Sequence, residues 1–240
     1  MAEKTDEKDR LERLAPEYDS KVDFDRYALD AFGVMLRSKL EGASVLDLGC
    51  STGTTAEAIV DVVGTLDMVD GSEHYVDIAR SRLPQANVRF YTALIEDYDP
   101  DRSYDHILCS HILEHVEDPV SMLKQIKTWL APGGRIWAYV PNARSIHRQV
   151  GVKVGAAQSI YDLSERDHMI GHRRVYDPDT FSRDIQAAGL THGPLGGFLC
   201  KPFPTSIMQT LDERLIRGLL LVGADQPALA SDIYYECFGA

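Results

Sequence analysis

Residues 43–64 read ASVLDLGCSTGTTAEAIVDVVG, and this stretch decides the fold. A short apolar strand, with Asp47 near its end, runs into a turn framed by Gly49 and Gly53. A helix follows in which Ala56, Ile59, Val60 and Val63 share one face. The same rhythm then repeats downstream. TLDMVD (65–70) is strand, and SEHYVDIARSRL (72–83) is helix, capped by Ser72 and stopped by Pro84. NVRFYTA (87–93) and YDHILCS (104–110) are strands. PVSMLKQIKTWL (119–130) is a helix with Asp118 as its cap and Pro119 in its first turn. APGG breaks it, and RIWAYVP (135–141) is strand again. Strands alternating with helices at this spacing predict an α/β fold built on a doubly wound, mostly parallel sheet.

Outside this block the rhythm is looser. Residues 1–20 read as a polar N-terminal extension, mobile or a loosely docked helix, and 21–240 are expected to be a single domain. Within 22–40, Phe24, Tyr27, Ala28, Ala31 and Leu36 lie near one helical stripe. After the fifth strand, 143–177 reads as an insertion: helix at 143–154, then a long polar run of the kind that is functional or disordered in compact domains. A helix at 179–189, a glycine-broken strand at 190–200, a helix at about 205–222 and a strand at 231–240 complete a seven-stranded sheet.

Composition narrows the function. A chain of 240 residues, 44% apolar and 26% charged, has the balance of one large globular domain. Its net charge of −12 argues against a nucleic-acid partner held by a general basic field. The start, MAEKTDEKDRLERL, lacks the apolar core of a signal peptide. The longest apolar stretch, GLLLVGA (218–224), is far short of the roughly 18 residues a membrane helix needs, so no membrane role is expected. Cys50, Cys109, Cys200 and Cys237 form no C-x-x-C pair and read as reduced core thiols of a cytoplasmic protein.

The turn at 47–53 selects among cofactors. A dinucleotide fingerprint needs glycines at 49, 51 and 54, but Ser51 and Thr54 stand at the last two. No G-K-[ST] follows, which removes a P-loop. What remains is Asp47-x-Gly49-x-Ser51-x-Gly53, with Asp70 at the end of the second strand. A turn without side chains lets backbone touch a ligand that carries no phosphate, and acidic strand ends suit a cationic group.

This spacing resembles motif I of the class I S-adenosylmethionine-dependent methyltransferases, where Ser often replaces the middle Gly. LAPGGRIWAYVP, similar to the approach to that family's fifth strand, extends the likeness over residues 22–141 and, in outline, 178–240. The resemblance implies a Rossmann-like methyltransferase fold with S-adenosyl-L-methionine as cofactor and S-adenosyl-L-homocysteine as product. It implies that Asp47, Gly49, Cys50, Ser51 and Gly53 line the methionine and ribose, with Gly71 beside Asp70. Asp70 would accept hydrogen bonds from the ribose hydroxyls. Ala93, Leu94 and Ile95 would frame the adenine, although Leu94 stands where the family often has Asp.

HILEH (111–115) matches the H-x-x-E-H pattern of one class of zinc peptidases. Such a site needs both histidines on one helical face, whereas here the pentapeptide directly follows a strand and no third-ligand motif is evident. No metal is expected. The resemblance instead makes SHILEHVEDP the loop after the fourth strand, with Ser110 and His111 beside the transferred methyl. Two readings of His111 and His115 stand: general bases for the acceptor's proton, or residues that only hydrogen-bond the loop in shape.

The acceptor is expected to be a small polar metabolite, such as a sugar, a natural-product intermediate or an amino-acid-like compound, methylated on O or N. Candidate substrate residues are Tyr27, Asn142, Arg144, His147, Tyr161, His168, His172, Arg173 and Arg174. This local excess of bases suits an anionic or multiply hydroxylated ligand. It equally suits an internal set of ion pairs with Glu165, Asp167 and Asp177. Tyr18, Phe24 and Tyr27 either close over the cofactor or serve as core. The runner-up readings are a protein or RNA methyltransferase, a non-catalytic binding module, a nicotinamide oxidoreductase and a zinc peptidase. The assembly state is open, a homodimer included.

Overall fold

A computed structural model describes residues 2–16 and 24–239 of the chain; Tyr18 lies outside them. The chain divides into two compact units, Met1–Ser110 with Trp129–Arg135, and His111–Thr128 with Ile136–Ala240.

The first unit carries α1 (Ala2–Leu14), α2 (Arg26–Leu36), β1 (Ser44–Leu48), α3 (Thr54–Ile59), β2 (Thr65–Asp70), α4 (Glu73–Arg82), β3 (Val88–Thr92) and β4 (Tyr104–Ser110). Strand β1 pairs in parallel with both β2 and β4, and β2 with β3. Sheets covered on both faces need strands that are apolar throughout rather than alternating. Accordingly Val45, Leu46, Leu48, Leu66, Met68, Val69, Ile107, Leu108 and Cys109 are all fully buried. Ser72 caps α4 by accepting a hydrogen bond from the Tyr75 N–H at 3.3 Å.

The stripe on α2 differs from expectation. Ala28, Leu29, Phe32, Gly33 and Leu36 face inward, while Tyr27 and Ala31 are half-buried. Gly33 sets this phase, because a Cβ there would lie 2.7 Å from the Ala58 Cβ and 3.0 Å from the Thr55 carbonyl oxygen. The close approach of the chain around α3 turns the helix to that side.

The second unit carries α5 (Pro119–Lys127), the second half of β5 (Leu130–Pro141), α6 (Ile146–Lys153), α7 (Glu165–Ile170), α8 (Pro178–Ala187), β6 (Leu190–His192), β7 (Gly196–Phe198), α9 (Thr205–Met208), α10 (Glu213–Asp225) and β8 (Asp232–Gly239). The strands make an eight-stranded, mostly parallel sheet in the order β3-β2-β1-β4-β5-β8-β6, with β7 also paired to β8.

The count is eight rather than seven because 190–200 is two strands. Leu190–His192 and Gly196–Phe198 each pair antiparallel with β8. Pro194, between them, lacks the N–H a continuous ladder requires. Likewise 205–222 is not one helix: Asp212 accepts a hydrogen bond from the Leu215 N–H and starts α10 afresh. Among the described residues no helix is long and apolar enough to cross a membrane. All four cysteines are free thiols and buried.

Candidate active site

Each unit carries its own set of candidate residues. In the first unit, the turn after β1 adopts left-handed backbone at Gly49 (φ 63°), Ser51 (φ 47°) and Gly53 (φ 85°). Glycine takes this conformation freely; serine does so at a cost of about 1 kcal/mol or more. Ser51 is held there because its N–H donates to Asp70 Oδ2 at 2.9 Å. The Cys50 N–H donates to the Val69 carbonyl at 3.1 Å, tying the turn to β2. Gly53 also has no room: a Cβ would meet Leu83 Cδ1 at 3.1 Å.

Three buried aspartates in this unit have different fates. Asp67, in the middle of β2, accepts hydrogen bonds from Arg89, Arg102 and the Tyr104 hydroxyl. Burial acts to raise its pKa, but these donors outweigh burial and hold it below the usual carboxylate range. Asp47 has no such partner: its carboxylate makes no hydrogen bond among the described residues, and burial, then the charge of Asp70, push its pKa up to about 7. Asp70 is pushed up to about 6 by burial, even though the Ser72 and Ser51 N–H groups both donate to it at 2.9 Å. A nearby third carboxylate, Glu12 of α1, adds to that rise.

Two buried acids without a cation, beside a turn of bare backbone, fit a ligand that brings positive charge and hydroxyl donors. The Ser51 hydroxyl is buried without a hydrogen-bond partner and adds a further polar contact for such a ligand. At the neighbouring strand end, the Ala93 N–H donates to the Asp70 carbonyl at 2.9 Å, and Ala93, Leu94 and Ile95 are half-exposed.

A loosely docked helix was one reading of residues 1–20, but the contacts α1 makes with the turn at Ser72 were not foreseen. Glu12 accepts hydrogen bonds from the Ser72 hydroxyl (3.0 Å) and the Glu73 N–H (2.6 Å). Leu11 packs so closely on the same turn that a Cβ at Gly71 would lie 2.6 Å from its Cδ1. The spacing Leu11, Leu14, Ala15 inside a charged segment was the available signal of a docked helix face.

In the second unit, HILEH is a turn-rich loop and not a helix. His111 has φ 54°, and its N–H donates to the Tyr139 carbonyl at 2.8 Å. Its Nδ1 lies 3.0 Å from Glu114 Oε1. Glu114 is fully buried, yet its pKa is held down to about 2. Burial acts to raise it, and the hydrogen bond from His111 together with the imidazoles of His111, His115 and His172 overcomes that.

Arginines fasten this loop by its carbonyls. Arg173 Nε donates to the His115 carbonyl at 2.9 Å, and its N–H to that of Glu114 at 2.8 Å. Arg174 donates to the carbonyls of Leu113, Val116 and Glu117.

Other candidate substrate residues also lie in internal networks. Asn142 is buried and donates to the carbonyls of Ala228 and Ala230. Arg144 pairs with Asp177 and Asp179, and the Tyr161 hydroxyl donates to Asp177 at 2.8 Å. His172 bonds Asp167, which also pairs with Arg148. His147 is half-buried with an unpartnered Nδ1; burial, then the charges of Lys201 and Arg148, push its pKa down to about 3. His168 is exposed, and Tyr27, in the first unit, accepts a hydrogen bond from Arg26. Within 143–177, Arg144, Arg148 and His172 are held by internal carboxylates, while Arg173 and Arg174 bond loop carbonyls.

A family model described as a methyltransferase domain matches residues 11–192. The chain belongs to the class I S-adenosylmethionine-dependent methyltransferases. Among curated relatives, it is 30% identical over 170 residues to a ubiquinone biosynthesis O-methyltransferase of Thiobacillus denitrificans, covering 69% of this chain and 72% of that protein. The protein of the same name from Acinetobacter baylyi is 28% identical over 172 residues, covering 68% and 69%.

Solved structures share the fold. A Haloferax volcanii methyltransferase in complex with its Trm112 activator aligns with a TM-score of 0.67 at 20% identity, covering 97% of this chain and 96% of that one. Magnesium protoporphyrin IX methyltransferase from Synechocystis, with bound S-adenosylhomocysteine, aligns with a TM-score of 0.62 at 16% identity, covering 97% and 94%. As a member of this family the protein is an S-adenosylmethionine-dependent methyltransferase.

Proposed function

We propose that this methyltransferase methylates a hydroxyl oxygen of a small polar metabolite. The observation that carries the reading is the His111–Glu114 pair. Glu114, ionised and buried, takes the Nδ1 hydrogen of His111, which leaves Nε2 as the nitrogen with a lone pair. A base oriented in this way is needed for a hydroxyl acceptor and adds little for an amine that is already neutral. The O-methyltransferase names of the curated relatives support the same acceptor atom.

The cofactor supplies a sulfonium-activated methyl group, displaced in line by the acceptor. Asp47 and Asp70 hold the cofactor's cationic and hydroxyl-bearing portion, the backbone at Gly49 and Gly53 lets it approach, and Leu94 covers the adenine. His111 Nε2 takes the proton from the acceptor oxygen as the new O–C bond forms and the C–S bond breaks, with sulfur keeping the electron pair. Arg173 and Arg174 are positioning residues that keep the loop, and so His111, in place.

The test is His111→Gln. Its kcat on a hydroxylated acceptor, found by screening sugars, catechols and hydroxy acids, should fall about 10²–10⁴-fold with S-adenosylhomocysteine affinity unchanged. An unchanged kcat would remove the base role. Activity confined to amine acceptors would remove the hydroxyl reading.

A further inference from the structure

Three residues of the second unit converge on one point. One ligand atom from each of Glu114, His115 and His172 lies within 4.8 Å of the other two. Glu114 Oε1 is 4.0 Å from His172 Nε2, and the rings of His115 and His172 meet edge to face at 4.7 Å. From this geometry we infer a binding site for a borderline divalent transition-metal ion, such as zinc or ferrous iron, with Glu114, His115 and His172 as its protein ligands. Two imidazoles and one carboxylate suit these ions better than magnesium or calcium, which favour all-oxygen shells.

Two independent features support the assignment. The first is an unused ligand atom: Glu114 is fully buried, and its Oε2 has no hydrogen-bond partner. Oε1, the oxygen 4.0 Å from His172 Nε2, also bonds His111 Nδ1, so Oε2 is the oxygen of this carboxylate with coordination capacity to spare. The second is a finished outer shell around His172. Its Nδ1 lies 2.9 Å from Asp167 Oδ1, which fixes the tautomer that presents the Nε2 lone pair toward Glu114. Asp167 is fixed in turn by Arg148 at 2.8 Å and by the backbone and hydroxyl of Ser164. A carboxylate, a histidine and an open nitrogen in series is the arrangement that metal-ligating histidines use.

The backbone explains why the H-x-x-E-H pattern gives no sign of this site. No helix places His111 and His115 on one face. The third ligand comes instead from beyond α7, where Gly171 (φ 85°) ends the helix and turns the chain, so that His172 is buried while His168 is exposed. The Arg173 and Arg174 contacts hold the loop carbonyls around Glu114 and His115. An ion bound at about 2.0–2.1 Å would draw these ligand atoms closer together than their present separations of up to 4.8 Å. Three protein ligands leave a position open for an oxygen donor.

The test uses the full chain, tag-free, stripped with a chelator and then titrated with Zn²⁺ or Co²⁺ alone. One ion per chain by elemental analysis, and visible Co²⁺ ligand-field bands lost in His172→Ala and in Glu114→Gln, would establish the site. Asp167→Asn should weaken binding about 10–100-fold without abolishing it, the signature of an outer-shell partner. S-adenosylhomocysteine binding, measured on every preparation, reports on folding and on the cofactor site separately. Substoichiometric metal in the wild-type chain, or a Co²⁺ spectrum unchanged by His172→Ala in protein that still binds S-adenosylhomocysteine, would overturn it. If either substitution prevents folding, His115→Gln on the half-buried loop position replaces it, with the same two outcomes.

Discussion

The turn after β1 and the loop after β4 both bury carboxylates, and they treat them in opposite ways. Asp47 and Asp70 are raised to about 7 and about 6, because burial is not offset by any cation. Glu114 is held down to about 2, because imidazoles surround it. Asp67, clamped by two arginines and a tyrosine, shows that the first unit can neutralise a buried acid where only structure is at stake. The turn is thus a site whose charge balance is completed by a ligand. The loop carries its own balance, its buried carboxylate being surrounded by imidazoles. The first arrangement suits holding a cationic cofactor, the second suits moving a proton.

This contrast breaks most sharply if substitutions in the two regions fail to separate catalysis from binding. His111→Gln has the largest expected effect, the 10²–10⁴-fold loss of kcat described above with cofactor affinity intact. Asp70→Asn should do the reverse, weakening S-adenosylhomocysteine about 10–100-fold through loss of charge-assisted hydrogen bonds. Calorimetric titration checks it, with His111→Gln as the control.

The pH dependence of the ligand-free protein sharpens the comparison. Both aspartates titrate in the folded chain above the ordinary aspartate value of 3.8. Their contribution to stability is therefore fully present below that value and is lost as pH rises through about 6 and about 7. Between pH 5 and pH 8 the loss is on the order of 4 kcal/mol. Denaturant melts across that range should show it in the wild type and show less of it in Asp47→Asn. Because an ammonium group and ribose hydroxyl donors favour the ionised acids, S-adenosylhomocysteine should bind about 10-fold more tightly at pH 7.5 than at pH 5.5.

Arg174→Gln, which removes donors to three loop carbonyls, should lower kcat about 3–10-fold through mispositioning of His111, leaving cofactor affinity unchanged in the same titration. Ser51→Gly is the smallest effect. Relief of left-handed strain should stabilise the chain by about 0.5–1 kcal/mol, while loss of the buried hydroxyl weakens cofactor binding less than about 5-fold. A thermal melt and one titration report both.

The same two regions differ in how legible they were. TLDMVD and YDHILCS are the strands Thr65–Asp70 and Tyr104–Ser110, because strands buried on both faces leave an unbroken apolar run. Ser72 and Asp118 cap the helices expected of them, since a cap acts within three residues. The glycine turn and Asp70 were readable for the same reason, their geometry being local. The loop was not. Its fixation by Arg173 and Arg174, and the meeting of Glu114 with His172, join segments far apart in sequence, and no local period records such contacts. The docking of Glu12 on the turn at Ser72 was missed on the same ground.

The most direct test of the account is calorimetric titration of S-adenosylhomocysteine at pH 6.5 in two buffers of different ionisation enthalpy, on the wild type and Asp70→Asn. The account predicts micromolar binding with net proton release to buffer in the wild type, and much weaker binding in the variant. Absence of binding, or binding of equal strength in both proteins with no proton released, would contradict it.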